Sequence, residues 1–339
     1  MKILLIGGAG FIGSHLAIEL KNYGHDVKIF DSFQVNNLGY HLTQRDLWSL
    51  GIINKRIACL FEYDIPIIAD DARDYHRLSK VFEEWKPEIV IHLAAVSHAG
   101  KSNKDPFSTF DHSLRTLENA LDAAIACASQ FIFFSSSMVY GEFPECGYVY
   151  ESEALRPLGI YGALKLSGEL MVRAYGEVFD LPWTIIRPSA LYGPYCVSRR
   201  VIQIWVENAF MGSNLFVQGD ENEALDFTHV ADVVRGVRLM VGNEKAYGEV
   251  FNITTGKAER IIDVANYIVT MFHEIYNKSI DVIHSKDREE LTPRRGTLKI
   301  DKATAILGYL PQFNTEKGLQ QYVAWYSNEG FDWGIYDES

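Results

Sequence analysis

The stretch that most limits what this chain can become is its beginning. Lys2-Ile3-Leu4-Leu5-Ile6 is a short apolar run of the kind a fully buried strand needs. It breaks at once into Gly7-Gly8-Ala9-Gly10-Phe11-Ile12-Gly13, and an amphipathic helix through Leu16, Ile18 and Leu20 follows. A second apolar run, Val27 to Phe30, ends at Asp31. Strand, glycine turn, helix, strand, acid is the order of a dinucleotide-binding unit. Glycines allow the tight turn and let the backbone approach a pyrophosphate at the helix N-terminus. An acid about 20 residues after the turn accepts from the adenosine ribose hydroxyls and repels a 2′-phosphate. That predicts NAD rather than NADP. An ordinary glycine-rich strand-to-helix turn would carry the glycines without the acid.

The same rhythm continues. Ile65 to Ala69 reads as a third strand, with Asp71 or Asp74 capping a helix from Tyr75, or an acid there meeting the adenine amino group. Glu88 to Ala95 is a fourth strand ending in small residues, over which a cofactor can lie; His92 within it reads as a satisfied core histidine. A helix over 107–128 leads to Phe131 to Phe134, then Ser135-Ser136-Ser137-Met138-Val139-Tyr140-Gly141. Leu181 to Arg187, closed by Pro188, is another strand, and Val250 to Ile253 a further one. Strands alternating with helices predict an α/β fold, a Rossmann-type doubly wound parallel sheet. Residues 1–190 form the NAD-binding domain, with 215–256 returning to it. Residues 191–214 and 257–339 form a smaller C-terminal substrate-binding domain. The long connection at 34–63 reads as a surface elaboration, with a cover over the adenosine or a partner contact as alternatives.

Composition removes other classes. Of 339 residues, 44 are acidic and 32 basic, and no Lys/Arg block tracks a phosphate backbone, so nucleic acid is not the expected partner. No apolar run reaches membrane-spanning length. A strand-like run from Met1 leaves no room for a signal peptide. Cys59, Cys127, Cys146 and Cys196 are scattered without metal-ligand spacing, which suits a reducing cytoplasm and predicts no metal.

The chemistry falls on Tyr161-Gly162-Ala163-Leu164-Lys165. A tyrosine and a lysine four apart share one face of a helix. An ammonium near a phenol favours the phenolate, and a phenol poised near neutrality can exchange a proton with a substrate hydroxyl. The bland alternative for this short pattern is a solvated helix face. Upstream, a serine at the end of the 131–134 strand points into the crevice where open parallel sheets place ligands, unless it belongs to a simple serine-rich turn.

Taken together these stretches resemble the extended short-chain dehydrogenase/reductase family, and within it the nucleotide-sugar epimerases and dehydratases. The resemblance rests on GGAGFIG at 7–13, DARD at 71–74, HLAA at 92–95, SSSMVYG at 135–141, YGALK at 161–165, RPSALYGP at 187–194 and LGYLP at 307–311. It implies Tyr161 as catalytic base, Lys165 as its partner and nicotinamide-ribose ligand, and Ser136 as the catalytic hydroxyl. It places NAD on Gly7, Gly10, Phe11, Ile12, Gly13, Asp31, Asp71 and Ala72. Leu93, Ala94, Ala95, Ser135, Tyr161, Lys165 and Pro188 complete that set. The substrate, a sugar linked to a nucleoside diphosphate, is assigned to Ser97, Ser136, Ser137, Arg199, Arg200, Arg294 and Arg295. The family pairs two long helices across a two-fold axis, so a homodimer through 107–128 and 161–179 is expected.

What the resemblance implies for the reaction is a transient 4-keto sugar. Dehydrating relatives usually carry an acid two before the tyrosine of the VYG triplet; here Ser137 and Met138 stand in that stretch, and a thioether does no acid–base work. That favours a 4-epimerase over a C4 dehydrogenase/reductase or a 4,6-dehydratase. A catalytically idle NAD-binding scaffold is the alternative of another class. Ala190, Leu225 and His112 replace an Asn, an Arg and an Asn common in uridine-diphosphate epimerases, so the base is not fixed. Glu142 is the first candidate acid should the chain dehydrate.

Overall fold

The structure, a computed structural model, describes residues 1–34, 38–96, 99–220, 222–286 and 293–328, the side chain of Tyr40 excepted. Seven strands pair in parallel: β1 Lys2–Ile6, β2 Asp26–Phe30, β3 Ile67–Ile68, β4 Ile89–His92, β5 Gln130–Phe134, β6 Trp183–Arg187 and β7 Glu249–Asn252. Their order across the sheet is β7-β6-β5-β4-β1-β2-β3. The direction of winding reverses beside β1, which opens a crevice at the carboxyl ends of β1 and β4. Ile6 lies level with Phe30 on one side and His92 on the other, so Gly7, Asp31 and Leu93 leave the sheet together.

The core follows from the two-residue strand period. Ile3, Leu5, Ile29, Ile91, Ile132, Ile186 and Phe251 pack on one face with Leu16, Leu20, Val233 and Val237. Leu4, Ile6, Phe30, Val90, Phe131, Phe133 and Ile185 pack on the other with Leu117, Leu121 and Val172. A separate core of Trp205, Phe210, Phe227, Ile268, Phe272, Tyr322 and Tyr326 holds the smaller lobe. Leu215–Gln218, expected with the returning segment, is paired in parallel with Val282–Ser285. The Val230–Met240 helix, by contrast, packs its Val233, Val237 and Met240 into the main core.

Two local features differ from the sequence expectation. The connection after β2 is more than surface: Asp46 caps a helix, Leu47–Glu62, by accepting from the Ser49 N–H at 3.0 Å. That helix buries Ile52, Ile53 and Leu60, and its fully buried Arg56 donates to the Tyr195 carbonyl at 3.2 Å. The helix expected over 107–128 is three segments: Pro106–Phe110, a π-helical turn at Asp111–Arg115, and Thr116–Ala124. His112 sits in the wide turn, its Nδ1 2.8 Å from the Ser108 carbonyl and its Nε2 3.1 Å from Gln34 Oε1. Such turns are frequent at functional sites.

Candidate active site

The glycine turn is shaped by contact. Gly7 has φ of +80°, and a β-carbon on it would stand 2.6 Å from the Ala94 nitrogen. A β-carbon on Gly13 would stand 2.6 Å from the Gly8 Cα, so the Phe11–Asn22 helix can lie close against the turn only with glycine there. At the end of β2, Asp31 accepts from the Ala9 N–H at 2.9 Å and the Phe33 N–H at 2.7 Å. Burial pushes its carboxyl up from the ordinary value, and those two amides, with the charge of Arg56, oppose the shift. Asp71 is held by a fork of bonds from Arg73, its Oδ2 2.7 Å from Nη2, while Asp74 is the helix cap, accepting from the Arg77 N–H at 3.2 Å.

Gly7, Gly10 to Gly13, Asp31, Asp71, Ala72 and Leu93 to Ala95 line one continuous cavity over the crevice. Arg56, Gln34, His112 and Ser198 line it too. Sequence reading missed Arg56, Gln34 and Ser198, which come from the 47–62 helix and from loops whose packing no local pattern reveals; His112, noted there only as a replacement, comes from the π-helical turn.

A second cavity joins the first through Ile12, Leu93, Ala95, Leu191 and Arg200. It gathers Ser135, Ser136, Ser137, Tyr161, Lys165 and Pro188. Tyr161 and Lys165 ride on the Gly159–Phe179 helix. No side chain caps that helix at Leu158; the free Ile160 N–H is taken by Asn103 Oδ1 at 3.0 Å. Its core-facing stripe runs Gly162, Lys165, Gly168, Glu169 and Val172, so two charged groups are carried inward. Lys165 donates to the Phe134 carbonyl at 2.7 Å and its ammonium is 6.0 Å from the Tyr161 ring centroid. Burial pulls its pKa down to about 8, and Glu169 resists. Ser136 Oγ accepts from the Met138 N–H at 3.2 Å, which fixes the hydroxyl at the cavity wall.

Behind Lys165 stands a buried network that sequence reading did not find. Arg187 grips Glu169 with two bonds, Nε to Oε1 at 2.9 Å and Nη2 to Oε2 at 2.7 Å. Ser135 donates to the same Glu169 Oε1 at 2.5 Å. Arg187 Nη1 reaches the Tyr140 hydroxyl at 2.9 Å, and that hydroxyl donates to Asn252 Oδ1 at 2.7 Å. The charged residue four after Lys165 on the core-facing stripe was the available signal. His92 is buried as expected, but it is not satisfied: neither ring nitrogen has a hydrogen-bond partner among the described residues. Burial, and then the Lys165 charge, push its pKa down to about 3, so it stays neutral between Phe131 and Phe133.

The residues expected at the substrate divide. Ser136, Ser137, Arg199, Arg200 and Arg295 line the second cavity. Arg199 also pairs with Glu207 at 2.8 Å. Arg294 does not line it; it faces outward and pairs with Glu142 at 2.7 Å, because that carboxylate offers it a solvated partner. Ser97 lies outside the described residues. No cluster of His, Cys, Asp or Glu among the described residues could hold a metal ion.

The family model described as the NAD dependent epimerase/dehydratase family matches residues 3–254. The chain belongs to that family. An uncharacterised UDP-glucose epimerase of Bacillus subtilis is 30% identical over 97% of this chain and 98% of its own length. A dTDP-glucose 4,6-dehydratase of Escherichia coli is 29% identical over 96% of this chain and 92% of its own. Among solved structures, a UDP-glucose 4-epimerase of Thermotoga maritima with UDP-glucose has a TM-score of 0.82 at 27% identity, over 97% of this chain and 99% of that one. A UDP-glucuronic acid 4-epimerase of Bacillus cereus with UDP-glucuronic acid and NAD has the same score, identity and coverage. The cofactor of the family is NAD, and the site fits it: a glycine cradle that a β-carbon would fill, and the Asp31 carboxyl on the wall of the same cavity. No helix among the described residues is long and apolar enough to cross a membrane.

Proposed function

We propose that the chain is an NAD-dependent nucleotide-sugar 4-epimerase working through a transient 4-keto sugar. The observation that carries this reading is the lining of the catalytic cavity. It brings Ser136, Tyr161 and Lys165 together, yet among the described residues no Asp or Glu borders it. Glu142, the candidate acid for elimination, is turned to the surface with Arg294. Tyr161 takes the proton from the sugar hydroxyl, Ser136 orients that hydroxyl, and Lys165 keeps positive charge beside the phenol. Bound NAD supplies the acceptor and donor of hydride. With no carboxyl to move the C5 proton, the keto sugar is reduced again after turning its other face. Incubation with a panel of UDP- and dTDP-sugars without added NADH should give epimers of unchanged mass. A product lighter by one water would sink this reading in favour of a dehydratase, and accumulating NADH would sink it in favour of a dehydrogenase.

We further propose that residues 1–190 with β7 serve the cofactor while the C-terminal part covers the sugar nucleotide, and that the enzyme is a cytoplasmic homodimer. Phe107 on Pro106–Phe110 is 82% exposed, and Leu170 and Val178, on the helix that carries Tyr161 and Lys165, are 60% and 69% exposed. Exposed apolar side chains on these helices suit burial in a two-fold interface.

A further inference from the structure

Adjacent arginines near the end of the described chain have opposite fates. Arg294 is exposed and paired with Glu142. Arg295 turns inward among the catalytic side chains. Its Nη2 donates to Ser137 Oγ and lies 3.5 Å from Ser189 Oγ, while Nη1 is 2.7 Å from Met138 Sδ. Its Nε is sealed from solvent with no hydrogen-bond partner, and its guanidinium carbon is 5.6 Å from the Phe143 ring centroid. No carboxylate among the described residues comes within ion-pair distance of it. The nearest buried acid, Asp226, already accepts from Thr255 Oγ1 at 2.6 Å and the Thr255 N–H at 3.0 Å. Burial lowers the Arg295 pKa to about 10, the direction expected of a cation that has given up water without gaining an anion.

A half-buried guanidinium whose Nε is sealed and which has no counter-ion is unfavourable, and an incoming anion relieves it. Where on the substrate that anion sits follows from the neighbours. Arg295 shares its wall with Ser136, Ser137 and Tyr161, where the sugar hydroxyl is deprotonated. The diphosphate has other donors: Arg199, Arg200 and the N-terminus of the Val201–Met211 helix border the same cavity from another element. We propose that Arg295 binds a carboxylate carried by the sugar itself, so that the preferred substrate is a nucleoside-diphosphate uronic acid. The planar fork of a guanidinium matches the two carboxylate oxygens, and Ser137 adds a hydroxyl beside them. This assignment rests on the nucleotide-sugar reading above.

UDP-glucose and UDP-glucuronate differ only at C6, alcohol against carboxylate, so their affinities for the NAD-loaded protein isolate the charge. Titration calorimetry should give UDP-glucuronate at least ~30-fold tighter binding than UDP-glucose, the scale of a charge-assisted contact in a buried site. Arg295→Gln should remove that preference, weakening UDP-glucuronate far more than UDP or UDP-glucose, and Arg295→Lys should keep part of it. Equal affinity of the wild-type protein for the two sugars overturns the proposal, and this comparison needs no variant to fold. Equal weakening of UDP alone in Arg295→Gln also overturns it, by making Arg295 a phosphate ligand. Failure of these two sugars and of their dTDP counterparts to bind overturns the nucleotide-sugar reading and the proposal with it. Uronate preference with a product lighter by carbon dioxide supports the role of Arg295 and sinks the epimerase reading alone.

Discussion

The Lys165 ammonium lies 6.0 Å from the centre of the Tyr161 ring and is tied to the Phe134 carbonyl at the end of β5. The helix and the sheet thus hold one charge between them, on the wall of the second cavity. Tyr161→Phe removes the phenol and keeps the ring. Turnover should fall at least ~100-fold, the usual scale of general acid–base assistance, with NAD still bound. Steady-state kinetics with the accepted sugar nucleotide, and the absorbance of retained NAD, check both halves; near-normal turnover would move the base elsewhere.

Lys165 gives a stability test whose sign follows from its pKa, lowered by burial from 10.5 to about 8. Below pH 8 the folded and unfolded chains both carry the proton, and the full penalty of burying it, roughly 3 kcal/mol, is present. Between pH 8 and 10.5 the unfolded chain binds more protons than the folded one, so stability rises with pH relative to a chain without this group. NAD-free Lys165→Met should therefore be more stable than NAD-free wild type at pH 7.5, and the gap should close by pH 10. Urea unfolding at the two pH values measures it. A gap that widens with pH would contradict the assignment.

Asp31 holds the turn through Ala9 and Phe33 and lines the first cavity, where its proposed role is to meet the adenosine ribose. Asp31→Ala should weaken NAD more than NADP. Fluorescence titration of both cofactors decides this, and unmodified protein that bound NADP as well as NAD would remove the role given to the carboxylate.

The Glu169–Arg187 pair is a buried ion pair with both groups otherwise bonded. Glu169→Ala strands Arg187 in the interior and should reduce unfolding free energy by about 3–5 kcal/mol. It also removes the charge that supports Lys165, so the alkaline limb of the kcat profile should move to lower pH. Denaturation and a pH profile read the two effects separately; an unmoved profile would make Glu169 structural only.

The proposed dimer face can be broken at Leu170, which is 60% exposed and away from both cavities. Leu170→Glu should shift the protein from dimer to monomer in light scattering at micromolar concentration. A wild-type monomer would dispose of the interface.

The parts of the site legible in the sequence are those set by short-range geometry. Gly7 is needed by a local turn, Asp31 by the end of its own strand, and the Tyr161–Lys165 pair by one turn of helix. The strands read as apolar runs because both faces of the sheet are covered. The burial of the Leu47–Glu62 helix escapes the sequence because it depends on Tyr195, far along the chain. The difference between Arg294 and Arg295 was invisible for the same reason: it is decided by whether Glu142 or the Ser137 wall lies opposite.

Arg295 closes a wall whose other side chains come from positions well before it, and all seven strands of the sheet are complete by Asn252. During synthesis the dinucleotide half can gather its strands while the last quarter of the chain is still unmade, since domains form from the N-terminal side as they emerge. The order of the genetic message then becomes an order of assembly: a cofactor seat first, a sugar-reading cation last. A nascent chain in that interval has its glycine cradle before it has the cation proposed above to read the sugar's carboxylate.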